Sequence, residues 1–115
     1  EAHYYLGTLL GRSGDSVAGE KHLLAAVKYD PSLADAYNNL GNLAAQARQT
    51  EKSLAYFGKA VAIDPHHYAA HLNLGVAMAE LGRPEALTHF REAAKSGDPR
   101  VRAAAEKALR YLGSR

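Results

Sequence analysis

Residues 36–43 read Ala36-Tyr37-Asn38-Asn39-Leu40-Gly41-Asn42-Leu43. The pattern stands 34 residues earlier as Ala2-His3-Tyr4-Tyr5-Leu6-Gly7-Thr8-Leu9, and 34 residues later as Ala70-His71-Leu72-Asn73-Leu74-Gly75-Val76-Ala77. Asp30-Pro31, Asp64-Pro65 and Asp98-Pro99 keep the same register. A fixed period in the range of roughly 20–50 residues marks an array of one supersecondary unit.

Working outward from this stretch, the apolar spacing predicts helices over about 2–12, 16–29, 33–47, 51–63, 67–81, 84–95 and 99–113. The stops come before Pro31, Pro65 and Pro99, because a residue that precedes proline is pushed out of the helical region. Pro84 suits a first helical turn, where its missing N–H costs nothing. The third copy is one residue shorter in its internal turn, since Gly41 to Phe57 is 16 and Gly75 to Phe90 is 15. It regains the residue before Pro99, as rigid helix pairs joined by tolerant turns would. The expected units are 1–31, 32–65 and 66–98, followed by a capping helix in 99–115.

Gly7, Gly41 and Gly75 fall inside predicted helices, where each costs roughly 1 kcal/mol relative to Ala. Repetition of that cost at one column implies a close backbone approach. The expected facing column is Gly19, Ser53 and Ala86, with Leu23, Phe57 and Phe90 packing beside it. A further small column, Ala26, Ala60 and Ala93, fits packing against the next unit.

The chain resembles the tetratricopeptide repeat family. The match is carried by His3-x2-Leu6-Gly7, Tyr37-x2-Leu40-Gly41 and His71-x2-Leu74-Gly75. Gly19-x3-Leu23, Ser53-x3-Phe57 and Ala86-x3-Phe90 then follow, each ahead of its proline. The tryptophan usual at the first column is replaced by His3, Tyr37 and His71. The resemblance implies an all-α helical solenoid, with three antiparallel helix pairs and a C-terminal capping helix over the third.

Bulk properties narrow the function. There is no Cys, which excludes disulfides, thiol catalysis and cysteine-ligated metal. No apolar run approaches the roughly 20 residues of a membrane span. Charge is polarised: residues 1–98 carry nine basic and eleven acidic side chains, whereas 99–115 carry five basic and one acidic. A module basic at one end only argues against nucleic acid as partner. His67 and His71 are one turn apart, but no third ligand stands in register, so no metal site is expected. No Gly-x-Ser-x-Gly elbow, phosphate loop or dinucleotide fingerprint occurs, and neither catalysis nor a cofactor is expected.

What remains is a surface. The resemblance implies a protein–protein interaction module whose concave groove, lined by the first helix of each pair, holds an extended peptide or partner helix. Mapped onto this sequence, the groove presents Tyr4, Tyr5 and Thr8, then Asn38, Asn39 and Asn42. Leu72, Asn73 and Val76 come next, with Lys107 and Arg110 on the cap. Similar asparagine columns grip peptide backbones in one member of the family, and the resemblance implies the same use here, since one amide both donates and accepts. Two alternatives stay open. Leu6, Leu9 and Leu10 have no cap before them, so that end could dock another copy, making a self-assembling scaffold or homo-oligomer. The repeats could equally be the non-catalytic arm of a larger enzyme.

Overall fold

A computed structural model describes residues 16–30 and 32–113. The described residues form helices and turns: α1 Ser16–Tyr29, α2 Ala34–Gln46, α3 Thr50–Ile63, α4 Tyr68–Glu80, α5 Ala86–Ala93 and α6 Pro99–Gly113. The expected helix over 2–12 lies outside the described residues.

The Asp-Pro column starts these helices by one repeated device. The carboxylate of Asp30 accepts the Ser32 N–H at 3.1 Å, Asp64 that of His66 at 3.0 Å and Asp98 that of Arg100 at 2.9 Å. Each is a side chain closing a turn onto the N–H two residues ahead. Bonds from the Ser32 hydroxyl and N–H hold Asp30 below the usual carboxylate range, and the Arg100 N–H does the same for Asp98.

The helix ends repeat as well. After α2, Arg48 N–H reaches the Ala45 carbonyl and Gln49 N–H the Ala44 carbonyl; after α4, Gly82 and Arg83 bond Ala79 and Met78 in the same way. This is a Schellman-type close, which places one residue in the left-handed region. That residue is Gly82, at φ 69°, in one copy and Arg48, at φ 60°, in the other.

Each helix packs on the next in sequence, most extensively α2 on α3 and α4 on α5. Smaller contacts skip one helix, α2 to α4 and α4 to α6, and create a face made of alternate helices. One core gathers Leu23, Val27, Tyr37, Leu40, Leu43 and the alanines 36, 60 and 70; a second gathers Phe57, Leu74 and Ala77. Ala26, Ala60 and Ala93 are all buried, as close packing between units requires.

Several expectations change in detail. A Cβ built on Gly41 would run into the Phe57 ring, and one on Gly75 would lie 2.8 Å from Cε1 of Phe90. The glycines make room for an aromatic ring rather than for the small column. Ser53 is buried nearby because its hydroxyl donates to the Thr50 carbonyl at 2.8 Å. Pro84 does not open an α-helix: residues 83–88 are joined by three-residue bonds, and α5 begins only at Ala86. In α6 only Ala105 is fully buried; Ala104 beside it is exposed, because one flank of this helix alone is covered.

Candidate functional site

Polar stitches hold consecutive units in register. Lys52 pairs with Glu20 at 3.2 Å, His67 with Asp35 at 2.6 Å and Arg83 with Glu51 at 3.6 Å. His67 does two jobs at once. Its Nδ1 accepts the Ala70 N–H and caps α4, which obliges Nε2 to carry the proton donated to Asp35.

The same alternate-helix face carries the asparagines. Asn73 on α4 donates from Nδ2 to Oδ1 of Asn38 at 3.0 Å and, more weakly, to Oδ1 of Asn42 at 3.4 Å. Asn38 and Asn42 are one helical turn apart, so the Asn73 amide sits between them. Asn39, which shares the column of Asn73 in sequence, is half-buried and takes no part in this bridge. The amides are therefore partly engaged with one another: Asn38 is buried, and Asn42 and Asn73 edge a narrow cleft.

That cleft, of about 70 Å³, is lined by Asn42, Ala45, Ser53, Phe57, Asn73, Val76, Ala77 and Glu80. A larger hollow of about 310 Å³ continues from it across α4 to α6, bounded by Val76, Ala79, Phe90, Ala108, Tyr111 and Leu112. Val76 and Glu80 belong to both, so the two form one track along α4. Val76 is 44% and Tyr111 60% exposed, an apolar pair of walls in contact with water.

The structure thus brings Asn38, Asn42, Asn73 and Val76 together. Leu72 is half-buried and borders neither hollow; Lys107 and Arg110 are exposed, but the α6 wall is formed by Ala108, Tyr111 and Leu112. Tyr4, Tyr5 and Thr8 lie outside the described residues. Tyr111 was missed by the sequence reading. Its signal was its place 34 residues after Ala77, where a small buried side chain gives way to a large aromatic one.

The two histidines with metal-ligand spacing are otherwise employed. His71 presents Nε2 to the Pro65 carbonyl at 2.9 Å and Nδ1 to Nδ1 of His89 at 3.0 Å, while His67 is committed as above. Among the described residues no group of three or more metal-ligating side chains converges, and no helix is long and apolar enough to cross a membrane.

Comparison with known proteins places this architecture. Residues 34–67 match the family model described as Tetratricopeptide repeat. The chain is 30% identical over 81 residues to the UDP-N-acetylglucosamine–peptide N-acetylglucosaminyltransferase of Giardia intestinalis, a match to 70% of this chain but 6% of that enzyme. Among solved structures, a mutant of the Thermobaculum terrenum O-GlcNAc transferase superposes with TM-score 0.82 at 25% identity, over 96% of this chain and 22% of that one. A crystal structure of MamA superposes with TM-score 0.77 at 26% identity, over 96% of this chain and 60% of its own.

Proposed function

Because this chain belongs to the tetratricopeptide repeat family, whose members generally mediate protein–protein interaction, we propose that it binds a protein partner along the track on α2, α4 and α6. The ligand is an extended peptide, and the chain has no catalytic role of its own. The observation that carries this reading is the junction of an amide cluster with an apolar hollow. Asn42 and Asn73, tied together with the buried Asn38, offer a peptide backbone donors and acceptors whatever its sequence. Val76 and Tyr111 offer one of its side chains a place out of water. Lys107 and Arg110 stand exposed at the far end, where cations attract an acidic residue by a salt-sensitive amount.

The test is a peptide taken from an array hit and titrated by fluorescence anisotropy against the wild type and two variants. Val76→Asp/Tyr111→Ala is expected to abolish measurable binding. Lys107→Glu/Arg110→Glu is expected to weaken it severalfold and to flatten its salt dependence. Equal affinity across all three proteins would remove the track as the binding site.

A second reading takes support from the 6% share of the Giardia enzyme that this chain spans: the repeats present a protein to a catalytic domain elsewhere in a longer polypeptide. Under either reading the same track does the holding. Docking of a second copy through Leu6, Leu9 and Leu10 falls on residues outside the described ones, and sedimentation across concentrations tests it.

A further inference from the structure

Two helix pairs repeat one aromatic contact with different chemistry. In α2–α3, the rings of Tyr37 and Tyr56 lie 6.5 Å apart at 32°, and the Lys59 ammonium sits 5.4 Å from the Tyr37 centroid. In α4–α5 the same three columns hold His71, His89 and Glu92. The imidazoles stack at 5.3 Å and 24°, closer than the phenols. A fixed cation beside two phenols has become a carboxylate beside two imidazoles.

Hydrogen bonding dictates the protons. The Pro65 carbonyl can only accept, so His71 carries its proton on Nε2 and offers a lone pair at Nδ1. His89 must then donate from its own Nδ1 across the 3.0 Å contact. His71 is only 9% exposed, so water does not easily replace these partners.

We propose that His71, His89 and Glu92 form a proton-operated latch that loosens the α4–α5 crossing in acid and leaves the α2–α3 crossing closed. One proton is accommodated by the pair, because an imidazolium still donates from Nδ1 across the contact and has Glu92 nearby as its counter-charge. A second proton leaves an N–H on both Nδ1 atoms; these meet head on, the hydrogen bond is lost, and two cations stack against each other. Separating the rings relieves this, and that separation opens the crossing.

The surroundings agree in sign. Burial first, and the His71 charge second, hold His89 below the ordinary histidine value of 6.5, while Glu92 works against both. Glu92 is itself held down by its bond to Lys95, with His71 and His66 adding to the effect. The charged groups of the flanking elements have partners of their own: His67 at the start of α4 holds Asp35 of α2, Lys59 of α3 lies over Tyr37, Lys95 just beyond α5 holds Glu92, and Arg102 of α6 bonds the Ser96 carbonyl. An unfolded or opened pair takes protons more readily than the closed one. The latch therefore contributes its full stability above about pH 6.5 and loses it as pH falls through the lowered native value.

Hydrogen exchange on the intact chain tests this, with α2–α3 amides as the internal reference for intrinsic rate. The opening constant of α4–α5, relative to α2–α3, is expected to rise about tenfold per pH unit below about 6.5 for one excess proton. His71→Tyr/His89→Tyr/Glu92→Lys, which copies the chemistry of α2–α3, is expected to remove that difference. Should this variant fail to fold, the wild-type imidazole resonances decide. A second protonation that coincides with loss of α4–α5 protection supports the latch. Two independent titrations near 6.5 with α4–α5 still protected would overturn it, as would an equal acid response in both pairs or one that survives in the variant.

Discussion

The α2–α3 and α4–α5 crossings are built on one plan, and they part company only at certain depths. Beneath both, a glycine on the first helix admits a phenylalanine ring from the second, and Phe57 and Phe90 are each 2% exposed. Above that layer the two diverge. Tyrosines give way to histidines, a lysine to a glutamate, a left-handed arginine to a glycine. The second helix shrinks from 14 residues in α3 to 8 in α5. Geometry resides in the Gly–Phe layer, and the columns nearer water are free to acquire separate chemistry without moving the helices.

The largest effect expected from breaking this comparison is at the shared layer. Phe57→Ala and Phe90→Ala should each cost about 3–5 kcal/mol, typical of an aromatic side chain deleted from a core. Denaturant midpoints measure this. A loss well under 1 kcal/mol at either site would mean that the ring does not hold its crossing.

Next come the glycines. Gly41→Ala drives a methyl into a buried ring and should destabilise by about 1–2 kcal/mol, overpacking outweighing the roughly 1 kcal/mol gained in helix propensity. The approach at Gly75 is looser, so Gly75→Ala should cost about 1 kcal/mol less. Thermal midpoints in the reverse order would show that the rings yield differently from their spacing.

The smallest effect lies in the turns. Arg48→Gly should stabilise by roughly 0.5 kcal/mol, because relief of left-handed strain slightly exceeds the added freedom of the unfolded chain. Gly82→Ala should destabilise by about 1 kcal/mol. Identical signs for the two changes would contradict the shared Schellman geometry.

Most of the helices and their stops could be read from the period and the prolines, because apolar spacing and Asp-Pro chemistry are local. The contacts between units were less legible for a physical reason. Residues 34 apart occupy equivalent places in successive units, and equivalence under translation does not imply contact. Asn39 and Asn73 share a column, yet Asn73 bonds Asn38 and Asn42, since stacked helices meet through offset faces. His71 and His89 sat in two separate columns, and only the crossing of α4 over α5 brings them together. The track's α6 wall escaped because that helix is covered on one flank and turns Tyr111, not Lys107 and Arg110, toward α4.

The stitches between units carry one more consequence. The bridges Thr50–Glu80, Lys52–Glu20, His67–Asp35 and Asn73–Asn38 join residues separated by 30, 32, 32 and 35 positions. A chain tied only to its neighbours behaves mechanically as beads on a string, each bead gripping the next. Drawn out under tension, the stack should lengthen in discrete steps of about one helix pair, the weakest grip yielding first. Slackened, it should rewind from any surviving pair without searching for a distant partner.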